Sequence, residues 1–121
     1  MKQAIVDRLP RGTVGVAMSG GLDSTTLAAM AVEVAGDPSR VIAECSHFER
    51  IMPDEEVRFA SAAARHLGIE LQLRPSDEQS YDPQWRKRPW LQPEPSLNSV
   101  NAVNDRMMID EISARAPVWL Y

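Results

Sequence analysis

The chain has 121 residues, a formal net charge of −4 and a pI near 5.1, which allows one hydrophobic core and argues against a nucleic-acid-binding surface. Its single cysteine, Cys45, excludes an internal disulfide and any paired-thiol redox or zinc motif. No apolar run approaches ~18 residues and no signal-peptide pattern is present, so the expectation is a cytoplasmic protein with no membrane partner.

Residues 4–9 suit a short amphipathic helix closed by Pro10 and the Arg11-Gly12 turn. Residues 13–18 are β-branched and apolar, as a strand buried on both faces should be. A helix opening at Asp23 or Ser24 follows, with Leu27, Met30, Ala31 and Val34 spaced for an inward face. Gly36 and Pro38 stop it. Residues 41–46 read as a second buried strand, with Cys45 a packed core thiol. Asp54, Glu55 and Glu56 then open a second helix, where acidic side chains favour the N-terminal end of the dipole. Its apolar stripe is Val57, Ala60, Ala64 and Leu67, and Gly68 ends it after Arg65 and His66. Residues 69–73 make a short third strand.

Regular pattern vanishes over residues 74–95, which carry five prolines, Tyr81, Trp85, Trp90 and the basic run Arg86-Lys87-Arg88. Loops this long in compact domains are functional or disordered, and two tryptophans argue for order near a site mouth. Helical spacing returns from about Asn101 through Val103, Met107, Met108 and Ile112, and Pro117 separates it from a strand at 118–121. The order of elements predicts an α/β fold, a doubly wound parallel sheet with helices on both faces. Ligands bind such sheets at the C-terminal ends of the strands, where Ser19-Gly20-Gly21 and Cys45-Ser46-His47 fall.

The stretch Ser19-Gly20-Gly21-Leu22-Asp23-Ser24 carries the chemistry. Two glycines let a ligand approach the backbone, the following helix offers unsatisfied N–H groups, and Ser19, Ser24 and Thr25 add hydroxyls. Phosphate is the guest such a cradle suits. A strand–turn–helix junction with an Asp or Ser N-cap is the plainer account of the same residues. Leu22 stands where a Walker loop needs lysine, and Ser24 where a dinucleotide fingerprint needs its third glycine.

These six residues resemble the pyrophosphate loop of the PP-loop ATP pyrophosphatases, a superfamily with an adenine nucleotide alpha hydrolase-like fold whose members cleave ATP between the α and β phosphates. The rest of the chain is most similar to the C-terminal synthetase domain of asparagine synthetase. The carriers are the helix before the loop, Cys45-Ser46-His47-Phe48 after the second strand, Asp54-Glu55 and Leu67-Gly68 around the second helix, and Glu94-Pro95. The resemblance implies the N-terminal part of one such domain, spanning residues 1–121 with a Pro/Trp-rich loop at about 75–97. The family's next segment, S-G-x-G-x-D-E, is then expected directly after Tyr121. The family's downstream phosphate-binding lysine has no counterpart, the lysines here being Lys2 and Lys87. No cysteine follows Met1, so a glutaminase domain or another ammonia source would lie outside the chain.

By the same resemblance, the activity is ATP-dependent amide formation by way of an acyl-adenylate, with ATP and Mg²⁺ as cofactors and a small-molecule or peptide carboxylate as substrate. Ser19, Gly20, Gly21, Asp23 and Ser24 would hold the departing phosphates, with Asp23 also placing Mg²⁺. Met18 and Leu22 would border the nucleoside, and the backbone of Ser46, His47 and Phe48 would read the adenine edge. Glu94 would assist proton removal as the amine attacks, a role whose plain alternative is an exposed loop carboxylate. Lasso-peptide and β-lactam cyclases share this chemistry and are an alternative, as is a nucleotide-binding module without catalysis. On the fragment reading, the 121-residue chain alone has little synthetase activity. A missing neighbour strand would leave a sheet edge on which two copies could pair.

Overall fold

A computed structural model describes residues 2–9, 11–50, 55–77 and 111–121. Helix α1 (Lys2–Val6) leads to strand β1 (Val14–Ala17), helix α2 (Leu22–Ala35) and strand β2 (Val41–His47). Helix α3 (Glu56–Leu67) and strand β3 (Glu70–Pro75) follow, and strand β4 (Val118–Leu120) comes after a helical turn at 111–113. All four strands pair in parallel, in the order β3-β2-β1-β4. The chain therefore moves outward from β1 to β3 and then returns to the other side of β1. Between β1 and β4 the order reverses, and the crevice at such a reversal is where open parallel sheets take ligands.

Strand registry assigns the faces, because residues paired across parallel strands project to the same side. Val14, Val16, Val41, Ala43, Leu71 and Val118 share one face through the pairs Val14↔Val41, Ala43↔Leu71 and Val14↔Val118. Helices α2 and α3 cover it with small residues: Ala28, Ala31, Ala60 and Ala64 are buried in one cluster with Val14, Val16, Met18 and Cys45. Alanine at these positions lets both helices lie close to the sheet. Cys45 is packed in that core as anticipated.

The opposite face is of another kind. It presents Gly15, Ala17, Ile42, Glu44, Ser46, Gln72 and Arg74, again by registry. Its described cover is the turn at 111–113, where Ile112 is buried, and Trp119 of β4. Trp119 lies directly across from Gly15. Its indole sits so close to that backbone that a Cβ on residue 15 would overlap the ring. The indole N–H donates to the Ile112 carbonyl at 3.0 Å, which locks the returning segment onto this face.

Several boundaries differ from the sequence expectation. Helix α1 begins and ends earlier than 4–9, and α2 begins at Leu22 with Gly21 as its N-cap, without a side-chain cap from Asp or Ser. The extended conformation of Gly21 lets the helix start immediately after the turn. The buried residues of α2 are Ala28 and Ala31; Leu27, Met30 and Val34 are half-buried, because the close helix–sheet contact goes to the smallest side chains. Helix α3 starts at Glu56, with Asp54 outside the described residues. Strand β3 runs to Pro75 where 69–73 was expected, held by pairing with Ser46 and His47. The Pro/Trp-rich stretch and most of the helical pattern from 101 also lie outside the described residues.

Candidate functional site

Strand β1 ends where the Met18 amide donates to the Glu44 carbonyl at 2.8 Å. The chain then turns sharply, and Gly20 takes φ +80, a left-handed conformation that suits glycine. Sterics demand glycine here as well: a Cβ on residue 20 would run into the backbone of Phe59 and Ala60. The turn therefore rests against α3, and the helix-covered layer holds the loop in place.

Helix α2 rises from this turn. Thr25 N–H is its first amide to reach a carbonyl, that of Gly21 at 3.0 Å. The amides of Leu22, Asp23 and Ser24 are the donors that a helix start leaves without internal acceptors. The hydroxyls gather at the same place. Ser19 Oγ lies 3.3 Å from Ser24 Oγ and accepts a long 3.4 Å bond from the Gly21 amide, while Ser24 Oγ donates to the Gly21 carbonyl at 3.3 Å. These contacts near the distance limit are weak, so an oxyanion can displace them at small cost. Asp23 is exposed in the first turn. Ser19, Gly20, Gly21, Asp23 and Ser24 thus stand together at the turn that opens α2.

Beside it, a cleft of about 360 Å³ opens at the C-terminal ends of β1, β2 and β4. Ser19 and Ser24 line its loop side, Ala17, Glu44 and Ser46 its floor, and Ile112, Trp119 and Tyr121 its far wall. Met18 borders it while remaining only 2% exposed, so its core role and its cleft role coexist. Leu22 is 84% exposed and outside the cleft lining among the described residues. Ser46 reaches the cleft. His47 instead points into the helix-covered core at 7% exposure, with Nε2 3.4 Å from Glu49 and Nδ1 without a hydrogen-bond partner. The His47 carbonyl accepts from the Ser76 amide at 2.8 Å. Phe48 is half-buried just beyond. Glu94 lies outside the described residues.

Two features of the site escaped sequence reading. Asp77 accepts from the amides of Glu49 (2.6 Å) and Arg50 (2.9 Å), fastening the exit of β2 to the exit of β3 and fixing the backbone of residues 46–50. Arg74, read as the first residue of an irregular stretch, continues β3 and donates from Nε to Glu44 at 3.1 Å and from Nη2 to Glu111 at 2.6 Å. Burial acts to lower the Arg74 pKa, but the hydrogen bonds and charges of Glu111 and Glu44 outweigh it and hold the guanidinium above its ordinary value. The available signal was weak: an arginine directly after a short apolar run, and a glutamate inside another.

A parallel sheet with a reversal beside β1 and an S-G-G-L-D-S turn at that reversal is the PP-loop fold. Residues 1–119 match the profile of the family described as asparagine synthase, and the chain belongs to the asparagine synthase family. Among solved structures, it resembles the NH₃-dependent NAD synthetase of Campylobacter jejuni, solved with a nitrate ion, at 18% identity and a TM-score of 0.57, covering 93% of this chain and 47% of that one. The glutamine-dependent NAD⁺ synthetase of Acinetobacter baumannii, solved with ADP, gives 21% identity and a TM-score of 0.64 over 94% of this chain and 22% of that one. A U34-tRNA thiolase of Methanococcus maripaludis gives 16% identity and a TM-score of 0.54, over 93% and 40% respectively. At these identities the likeness concerns the fold, and the chain spans less than half the length of each. No curated protein matches it. No helix among the described residues is long and apolar enough to cross a membrane.

Proposed function

We propose that this domain activates a carboxylate with ATP. The substrate carboxylate attacks the α phosphate, giving an acyl-adenylate and pyrophosphate, and ammonia or an amine then displaces AMP to leave an amide. The observation that carries the reading is the formed cradle at Ser19–Ser24 opening onto a cleft of nucleoside size at the sheet reversal. Membership of the asparagine synthase family supports the ligase class.

In this reading the amides at the start of α2 and the hydroxyls of Ser19 and Ser24 stabilise negative charge as it builds on the departing pyrophosphate. Met18 borders the nucleoside, and the fastened backbone of Ser46 to Phe48 presents amides and carbonyls to the adenine edge. Asp23 suits Mg²⁺, which takes one or two protein carboxylates together with substrate phosphates. A single exposed carboxylate beside the cradle matches that mode. Bound magnesium would neutralise phosphate charge. Glu94 is proposed as the acid–base group for amine attack, and the ammonia or amine source lies outside this chain.

The test is isotope exchange between ATP and pyrophosphate in the protein that carries this chain. Exchange should depend on a carboxylate substrate. Asp23→Asn should lower its rate at least about tenfold without changing the circular dichroism spectrum. Nucleotide binding with no exchange under any carboxylate would instead leave a binding module without chemistry.

A further inference from the structure

Strand β3 closes one side of the sheet, and among the described residues no strand lies beside its outer edge. Backbone groups alternate along a strand, so every second residue turns its N–H and C=O away from the neighbour it already has. The Ser76 amide donates to the His47 carbonyl, which by this alternation turns the backbone groups of Glu70, Gln72 and Arg74 towards β2. Those of Leu71 and Leu73 face outward, and Pro75, which has no N–H, ends the outward row. Side chains alternate between the faces instead: Leu71 and Leu73 share the helix-covered face with Ala43 and Cys45, while Glu70, Gln72 and Arg74 share the open one. Leu73 is 48% exposed, whereas Cys45, its neighbour in register, is 1% exposed. The covered layer therefore ends on a leucine that its own helices leave half bare. A groove of about 390 Å³ borders the strand, and every residue of β3 lines it.

We propose that this edge is an interface between two copies of the chain, joined by antiparallel pairing of β3 with β3 about Gln72. The segment Glu70-Leu71-Gln72-Leu73-Arg74 has the same pattern read in either direction, with its terminal charges exchanged, so it is complementary to itself. A two-fold axis at Gln72 sets Glu70 opposite Arg74 of the second copy and Leu71 opposite Leu73. In that register the leucines form the pairs whose backbones exchange both N–H···O bonds, and theirs are the groups that face outward. Symmetry gives four such bonds and two pairs of unlike charge, and the leucines carry the helix-covered layer across the seam. Among the described residues Arg74 bonds through Nε and Nη2 and Glu70 through Oε1, so Nη1 and Oε2 are the atoms that would meet across the axis. Neighbouring registers are poorer. Centring on Leu73 brings Pro75 into a bonded pair, where its missing N–H loses a bond, and centring on Leu71 sets Glu70 opposite Gln72. Edges that avoid pairing carry charges that repel a copy, whereas the charges here are unlike and symmetrically placed.

One pair of short strands is small beside the ~1,200–2,000 Å² of a stable interface, so the association should be weak. In sedimentation equilibrium the protein that carries this chain should gain mass towards a dimer between about 1 and 100 µM. Leu73→Lys sets cations into the leucine pairs and should weaken association at least about tenfold, with the circular dichroism spectrum unchanged. Gln72→Cys reads the register. Its two thiols would stand on the axis in a non-hydrogen-bonded pair with Cα atoms about 4.5 Å apart, within reach of a disulfide. Mild oxidation should therefore give a covalent dimer with Gln72→Cys and not with Glu70→Cys, whose two copies stand four residues apart along the seam. Cys45 is buried and should not compete. A protein that stays monomeric throughout that range overturns the proposal, as does association that Leu73→Lys leaves intact or a covalent dimer formed equally by Glu70→Cys. If Gln72→Cys resists both oxidation and a maleimide, another segment or a bound strand covers the edge and the proposal fails. Should Leu73→Lys not fold, the contrast between the two cysteine variants decides alone.

Discussion

The two faces of the sheet are built on opposite rules. Under α2 and α3 the buried side chains, His47 apart, are small or apolar, from Ala28, Ala31, Ala60 and Ala64 against Val14, Val16, Val41 and Ala43. Close approach is the aim there, and it yields a rigid layer against which the Gly20 turn can rest. The cleft face instead carries Glu44, Ser46, Gln72 and Arg74 on adjacent strands, with a tryptophan laid over a glycine as its cover. Polar groups there are held by pairing, and space is left open. One face is closed by helices and the other is left open as a cleft, and they meet at the loop that ends β1.

Breaking the helix-covered side should have the larger effect. Gly20→Ala forces a side chain into a left-handed conformation and into the backbone of α3 at once. A destabilisation of about 3 kcal/mol or more is expected in urea denaturation, with loss of nucleotide affinity as the cradle shifts. On the cleft face, Arg74→Met strands Glu44 without its partner. The expected loss is about 2 kcal/mol, below that of a fully buried pair because the Arg74 side chain is 25% exposed. Adding Glu44→Gln to that variant should recover most of the loss, and a double-mutant cycle with no coupling would show that the pair does not act as a unit.

The smallest effect should come from Asp37, which belongs to neither face. It caps the 3-10 turn Pro38–Arg40 by accepting from the Ser39 hydroxyl (2.8 Å) and amide (2.9 Å). Those two bonds, the hydroxyl's first, hold its carboxyl below the ordinary carboxylate value. A depressed folded-state pKa adds stability that is present above the unfolded pKa and lost as pH falls through the folded one. Asp37→Asn should therefore lower the melting temperature slightly at neutral pH and converge on the parent protein in acid, leaving both faces unchanged.

Much of the helix-covered side was legible before folding. The apolar runs at 13–18 and 41–46, the stops at Gly36 and Gly68 and the alanine stripe of α3 are local patterns, repeated at periods that a strand or helix imposes on itself. The cradle was legible for the same reason, since six consecutive residues define it. The misses on this side were small and have local causes: Gly21 caps α2 with its backbone, and alanine outcompetes larger residues for the closest contact. Glu94 and the Pro/Trp-rich stretch lie outside the described residues.

The cleft face had no such signature. Glu44 sat inside a run that reads as a buried strand, and Arg74 at the edge of a stretch with no pattern; they are thirty residues apart and meet because β3 extends along β2. The contact of Trp119 with Gly15 spans a still longer separation and depends on β4 returning to the far side of β1. By itself, then, the sequence determined the elements, their order and the tight turn at Ser19–Ser24, all set by interactions between near neighbours. Tertiary structure alone decided which strand faces which, and so placed one carboxylate, one guanidinium and one indole around the space beside that turn. Such pairings come from strand register, and register is fixed only when the whole sheet assembles.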